Sequence, residues 1–286
     1  MLLSTNMIRF YNVFGIKKTF DIFSNAEIQG IDFNLDVKDF LSNKYDKEFF
    51  IDIKKYAKEK GVAICQAHAP FPPSYVEEEK SRIRFMEIVE AIKNASILGA
   101  PMIVVHPCNH LDCKVDNNEE ILFDYNVKFY KKLEPYAKEY GVKIAIENIF
   151  DTITGTADKL NKLYDALNSE VFTICFDVGH SFIEGCIPAE EIKKLGYRLV
   201  DGCTHVHDNS GDKDSHTLPF YGKIDWETVM EALASIGYQG DFNYEASGFI
   251  KDIPVSLREE GLKYMAKIGH YLIGRFEYYK TLNKKD

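Results

Sequence analysis

Eight short apolar runs, each followed by a longer amphipathic stretch, constrain this chain more than any other feature. The runs are Met7–Val13, Gly30–Leu35, Val62–Ala67, Met102–Val105, Val142–Ile146, Phe172–Phe176, Val200–Val206 and Gly240–Tyr244. Each is β-branched, aromatic or otherwise apolar, and short enough for a buried strand. Between them apolar residues recur at three- and four-residue steps, the period of one helix face. Ile83, Met86, Val89, Ile92, Ala95 and Leu98 do so within Glu77–Leu98, as do Ile121, Leu122, Tyr125, Phe129, Leu133 and Tyr136 within Glu119–Tyr140, and Trp226, Val229, Met230 and Leu233 within Asp225–Ile236. Several stretches close on a glycine just before the next run, as in Lys60-Gly61-Val62, Leu98-Gly99-Ala100 and Tyr140-Gly141-Val142. Glycine there tolerates the left-handed turn that ends a helix. Strand, helix and strand repeated eight times in 286 residues predicts parallel βαβ units closed into an α/β (β/α)8 TIM barrel, one domain over residues 1–286. An open doubly wound sheet would carry a glycine-rich phosphate loop after its first strand; Val13-Phe14-Gly15-Ile16-Lys17 is not one. Residues 16–29 are the poorest helix candidate, and the Lys-rich tail after Arg275 reads as a terminal helix.

Charge narrows the function. The chain carries 35 Lys+Arg against 44 Asp+Glu, a formal net charge of −9. That balance argues against broad contact with a phosphate backbone, which needs basic residues to displace counterions, so no nucleic-acid partner is expected. No run approaches the ~18 apolar residues of a membrane span. The opening Met1-Leu2-Leu3-Ser4-Thr5-Asn6-Met7-Ile8-Arg9 lacks the basic-then-apolar pattern of a secretory signal. Six cysteines are present without a Cys-x-x-Cys pair, which reads as reduced thiols in a cytoplasmic protein.

The informative residues stand where the apolar runs end. Val62–Ala67 runs into His68, Met102–Val105 into His106, Val142–Ile146 into Glu147, Phe172–Phe176 into Asp177 and then His180, Val200–Thr204 into His205, and Gly240–Tyr244 into Glu245. The steps from His68 to His106, Glu147, Asp177, His205 and Glu245 are 38, 41, 30, 28 and 40 residues, comparable with the ~30 or more residues of a βαβ unit. In a (β/α)8 barrel the carboxyl ends of all strands converge on one mouth. Singly, each residue reads as a surface, capping or hydrogen-bonded core group. No packing rule puts ionisable groups at six successive strand ends. Glu147, Asp177, His205 and Glu245 together form an oxygen/nitrogen set suited to a divalent ion such as Mn²⁺, Mg²⁺, Co²⁺ or Zn²⁺. Carboxylates crowded at one mouth without a cation would raise one another's pKa. His110 reads as loop and His270 as last helix. His207, two residues past His205, stays open between ligand and core histidine.

These residues carry a resemblance. The chain resembles the xylose-isomerase-like barrel superfamily, which includes sugar isomerases and epimerases, inosose isomerases and zinc-dependent apurinic endonucleases. The resemblance runs from about Gly30 to the last helix. It rests on Ile146-Glu147-Asn148, Phe176-Asp177-Val178-Gly179-His180, Thr204-His205-Val206-His207-Asp208-Asn209, Asp214-Ser215-His216, Pro219–Trp226 and Ile236–Gly240 before Glu245. It implies one divalent metal per chain held by Glu147, Asp177, His205 and Glu245. It also implies a substrate contact at His180, and Glu147 and Glu245 as acid and base on a carbon next to a carbonyl. In that version His68, His106 and His216 meet substrate hydroxyls and Asp214 orients His216. The expected partner is a small sugar or cyclic polyol-ketone, handled by an enzyme that is a homo-oligomer by analogy. The endonuclease members hold three zinc ions with nine ligands, matched here by His68, His106, Glu147, Asp177, His180, His205, Asp214, His216 and Glu245. Against that alternative stand the acidic chain, the absence of a glycine-rich first-strand loop, and the likeness of Asp214–Pro219 to single-metal isomerases. Phe71, Phe150, Phe182 and Phe220 are candidates for an apolar wall at the mouth; Trp226 reads as packing.

Overall fold

A computed structural model describes residues 1–41, 45–113 and 118–283. Eight parallel strands run in sequence order around the molecule: β1 (Leu3–Asn6), β2 (Gly30–Asn34), β3 (Ala63–His68), β4 (Met102–Val105), β5 (Lys143–Glu147), β6 (Phe172–Asp177), β7 (Cys203–His205) and β8 (Phe242–Tyr244). β1 pairs with both β2 and β8. The last gap, between β7 and β8, is bridged where Val206 N donates to Asn243 O at 2.8 Å and Glu245 N to Val206 O at 2.9 Å. The barrel therefore closes at its mouth, between the two strands that deliver His205 and Glu245.

The alternation of side chains along each strand sorts the residues into two layers. Ile103, Val105, Ile144, Ile146, Ile174 and Phe176 face outward into the main core against the helices. Val104, Ala145, Cys175 and Cys203 face inward and form a separate small cluster with Met102. Helices over Lys47–Glu59, Glu78–Leu98, Glu119–Tyr140, Ala157–Leu167, Pro188–Leu195, Trp226–Ser235 and Arg258–Asn283 cover the outside. Side-chain oxygens of Asp46, Asn118, Thr156 and Asp225 cap four of them, satisfying amide donors that the first turn leaves free. Gly99 and Gly141 take the left-handed conformation at two helix ends, with φ of 85° and 65°. Among the described residues no helix is long and apolar enough to cross a membrane.

The first unit departs from the sequence reading. The apolar run Met7–Val13 is not the first strand. Leu3–Asn6 is, and Ile8–Phe14 is helical, followed by a second helix over Ile16–Asn25. Two causes are visible. The β1 residues Ser4 and Asn6 read as polar, yet they are buried, and Ser4 Oγ donates to Asn243 Oδ1 at 2.9 Å. In Met7–Val13, Phe10 packs edge-on against Phe23 at 5.3 Å and lies beside Phe14 four residues on, which is helical spacing. The final helix runs from Arg258 through the start of the Lys-rich tail to Asn283 and includes His270.

Candidate metal centre

The six strand ends meet. His68, Glu147, Asp177 and His205 are the last residues of β3, β5, β6 and β7, while His106 and Glu245 directly follow β4 and β8. Four of them are carried inward by a two-residue step from the apolar layer beneath, Val104 to His106, Ala145 to Glu147, Cys175 to Asp177 and Cys203 to His205, while His68 and Glu245 follow the buried polar residues Gln66 and Asn243 at the same step. The Asn148 side chain fastens two of the ends, donating to Asp177 O at 2.9 Å and accepting from Asp177 N at 2.6 Å. Asp177 Oδ1 in turn accepts from His180 N at 2.6 Å, starting the short helix Val178–Ile183 that aims His180 at the mouth.

Asp214 and His216 arrive on the long connection after β7, which is organised by Asp208. That buried carboxylate accepts from the amides of Asn209, Phe220 and Ile224 and, at 2.8 Å, from Trp226 Nε1. Trp226 is thus structural, as expected. His216 sits at φ 44°, a left-handed conformation rare for a residue with a Cβ. It is held there by Glu245 O, which accepts from its Nδ1 at 2.8 Å.

The donor atoms fall into three connected groups. In the first, His106 Nε2 lies 3.0 Å from Glu147 Oε2 and 3.2 Å from His68 Nε2, and His68 Nε2 lies 3.7 Å from the same oxygen. In the second, His205 Nδ1 lies 3.1 Å from Glu147 Oε1, 3.6 Å from Glu245 Oε2 and 4.0 Å from Asp177 Oδ2. In the third, Asp214 stands 3.0 Å from His216 Nε2, 3.6 Å from His180 Nε2 and 3.7 Å from His207 Nε2. Ligands about 2.0–2.1 Å from a tetrahedral ion are separated by roughly 3.3 Å, the range of these contacts. Glu147 joins the first group to the second through its two oxygens, and Asp177 Oδ1, 3.0 Å from His207 Nε2, joins the second to the third. Glu147 Oε2, Asp177 Oδ2, Asp214 Oδ1 and both His207 nitrogens are buried without a hydrogen-bond partner. Such orphans are costly unless something else satisfies them. Donors that converge on a shared cation leave this pattern.

The far sides of the imidazoles fit the same reading. Nδ1 of His68 meets Ala69 O at 2.9 Å, Nδ1 of His180 meets Asn148 O at 3.0 Å, and Nδ1 of His216 meets Glu245 O at 2.8 Å. A carbonyl only accepts, so each Nδ1 carries a proton, which leaves Nε2 as the atom whose lone pair a cation would take, as in metal-bound histidines.

Electrostatics concur. Burial opposes charge on every group here. Yet the imidazoles of His205 and His106 hold the Glu147 carboxyl well below the usual range, and His180 and His207 do the same for Asp177. Against burial, Glu147 lifts His68 to about 9 and Asp214 lifts His216 to about 9. His205 rises well above the usual imidazole value beside Glu245 and Glu147, again against burial. Without a metal ion, therefore, His68, His180, His205 and His216 hold protons that balance the carboxylates. A divalent cation would replace those protons.

Two residues missing from the expected ligand set belong to the site. His207, left open in the sequence, is fully buried and stacks on His216 at 4.0 Å. Its ring fills the space where a Cβ on Gly179 would stand. Asp32, inside β2, is also fully buried, with Oδ2 3.8 Å from His205 Nε2. Its one sequence signal is an acid in the middle of a run otherwise suited to a strand. Of the aromatic candidates, Phe71 stacks on His106 at 4.8 Å and Phe150 meets His180 edge-on at 5.4 Å. Phe220 turns instead toward Tyr271, at 6.1 Å.

Comparison with known proteins agrees with this architecture. The chain is 33% identical over 170 residues to the uncharacterized protein y4fM of Sinorhizobium fredii, covering 55% of this chain and 52% of that protein. It is 26% identical over 205 residues to the D-psicose 3-epimerase of Enterocloster bolteae, covering 68% of this chain and 65% of that enzyme. It thus spans between half and two thirds of the length of these two curated relatives. The crystal structure of a D-tagatose 3-epimerase-like protein superposes with a TM-score of 0.76 at 23% identity, covering 96% of this chain and 100% of that one. Residues 20–268 match the family model described as xylose isomerase-like TIM barrel, and the chain belongs to that family.

Proposed function

We propose that this protein is a divalent-metal-dependent isomerase or epimerase of a sugar or cyclic polyol-ketone, working through an enediolate. The observation that carries the reading is the convergence of Glu147, Asp177, His205 and Glu245, whose donor atoms all lie within 4.8 Å of one another. The named epimerase among its relatives supports the reaction class. Glu147, Asp177, His205 and Glu245 would hold the ion, with Mn²⁺, Mg²⁺, Co²⁺ and Zn²⁺ all suited to the donors. A bound ion would supply Lewis acidity toward a substrate carbonyl or hydroxyl.

The chain's own residues do the rest. Glu147 and Glu245 move the proton of the carbon beside the carbonyl, one removing it and the other returning one. Their surroundings make them unequal. Glu147 is 1% exposed and held as an anion by imidazoles, whereas Glu245 is 16% exposed and reaches the open mouth. Glu245 is accordingly assigned the first proton removal. His180 faces the substrate space, and Phe71 and Phe150 supply apolar walls that shield it from water. The reading makes the partner a small sugar.

A second reading has its own observation. The three connected donor groups use all nine positions matched to the three-zinc endonucleases, and Glu147 and Asp177 join them. Clustered zinc ions could activate water for phosphodiester hydrolysis. The formal charge of −9 weighs against a nucleic-acid substrate.

Elemental analysis of protein purified without a metal-chelating tag tests both. One equivalent of divalent metal per chain, with turnover on a ketose and inosose panel, is expected. Three equivalents of zinc with cleavage of abasic DNA would replace the first reading by the second. Absence of metal after loading would overturn both.

A further inference from the structure

His205 differs from the other imidazoles of the mouth. His68, His180 and His216 turn Nε2 inward and give their Nδ1–H to a backbone carbonyl. His205 turns Nδ1 inward, 3.1 Å from Glu147 Oε1 and 3.6 Å from Glu245 Oε2. To act as a ligand through Nδ1 it must carry its proton on Nε2, and that proton needs an acceptor. No carbonyl is hydrogen-bonded to Nε2 among the described residues. The Gln66 amide nitrogen is placed 2.9 Å from it and Asp32 Oδ2 stands at 3.8 Å; the two ends of a carboxamide have the same shape, and rotating it by half a turn sets the oxygen against Nε2 instead.

Asp32 is otherwise unexplained. Its neighbours on β2, Ile31 and Phe33, face the outer core, so Asp32 projects into the barrel beneath the mouth. It is 0% exposed, and both carboxylate oxygens lack a hydrogen-bond partner. A buried carboxylate without a counter-charge is disfavoured by several kcal/mol or more. Burial pushes its carboxyl above the usual carboxylate range, and the imidazoles of His205 and His68 oppose that rise. Asp32 and Gln66 are register neighbours on β2 and β3, so the carboxylate and the amide approach the same ring nitrogen from adjacent strands.

We infer that Asp32, acting with Gln66, is a positioning residue that holds His205 in the Nε2–H tautomer and so makes its Nδ1 a ligand of the metal centre. In that state the Gln66 carboxamide is rotated by half a turn from its placement here, so that its carbonyl oxygen accepts from the Nε2–H and its NH2 is available to the unpartnered Asp32 carboxylate. This rests on the metal-dependent reading above. Partners of this kind behind metal-bound histidines change affinity by roughly 10- to 100-fold.

The test is titration of chelator-stripped full-length protein with Mn²⁺ or Zn²⁺ by calorimetry, comparing the unaltered chain with D32N. Affinity should fall roughly 10- to 100-fold, while the thermal midpoint of the metal-free form holds or rises, since a buried carboxyl without a hydrogen-bond partner is replaced by a neutral amide. Unchanged affinity in D32N overturns the Asp32 assignment alone. Loss of metal-free stability at unchanged affinity would show a merely structural role and also overturns it. Failure of the unaltered chain to bind either ion overturns the metal reading and this inference together. Should D32N not fold, long-range ¹H–¹⁵N correlation of the unaltered Zn²⁺-loaded chain decides. A proton on His205 Nε2 is expected, and a proton on Nδ1 refutes the assignment.

Discussion

The barrel has two interiors built from the same strands. Two residues below the mouth, β4 to β7 fill the space with Val104, Ala145, Cys175 and Cys203, and at the mouth the same strands hold His106, Glu147, Asp177 and His205; on β2, β3 and β8 the lower positions are the buried polar residues Asp32, Gln66 and Asn243. Nothing in backbone pairing distinguishes the levels: Cys175 pairs with Cys203 and Asp177 with His205 in one continuous register. The difference lies in what each level asks of its surroundings. On β4 to β7 the lower level is satisfied by packing. The upper level holds carboxylates and imidazoles that packing cannot satisfy, and the apolar side chains beneath these four offer them no hydrogen-bond partner. A low-polarity floor raises the cost of unbalanced charge and strengthens every interaction with a bound cation. The apolar part of the floor would therefore strengthen the proposed metal centre without touching substrate.

The comparison breaks most sharply if a mouth residue proves structural. E245Q and E147Q keep side-chain volume and remove the acid/base function. Turnover should fall by about 10²–10⁴-fold in each, with the circular dichroism spectrum unchanged. Wild-type-like turnover in either variant would remove the proposed proton transfer. Stability measurements on the same proteins sharpen the contrast, because E147Q strips His68 and His106 of their counter-charge whereas E245Q leaves that pair of contacts in place.

The next effect is a pH dependence confined to the metal-free protein. His68 and His216 are pushed up to about 9 in the folded state, above the ~6.5 of an unfolded chain. A raised folded pKa stabilises fully below the unfolded value and loses that stabilisation as pH climbs through the folded one. The thermal midpoint of chelator-treated protein should therefore drop between pH 6.5 and 9, while cation affinity rises over the same window as protons stop competing. A metal-free midpoint that rises with pH would contradict the proton-for-metal exchange at the mouth.

What could be read from the sequence follows the same division. The strand ends were legible because ionisable residues after apolar runs have no packing explanation, and chain spacing alone brings six of them together. The first strand was not, because Ser4 and Asn6 are polar residues buried inside the barrel, and the more apolar Met7–Val13 outweighs them in any hydropathy reading. Asp32 was hidden for the opposite reason: it stands mid-strand, two residues before the end, in a run whose other residues fit a buried strand. His207 was visible but undecided, since its role depends on β7 keeping its inward face past His205, which a bridge from Val206 to Tyr244 secures.

The smallest effect sharpens the contrast from below. Cys175 lies directly under Asp177, is fully buried, and has its thiol pushed well above the ordinary range by burial. A thiol that stays protonated is a poor ligand and a poor nucleophile, so its contribution is the volume it fills. C175A should lower stability by about 1–2 kcal/mol through the small cavity it leaves, with metal stoichiometry unchanged and kcat within about twofold of the unaltered chain, as expected where no transition-state contact is lost. Thermal melts and metal analysis on one preparation separate the outcomes. A lost metal equivalent would make Cys175 part of the centre and end the distinction between floor and mouth. Unaltered metal with a lower midpoint would confine the floor to packing and leave the charged layer above it to carry the chemistry.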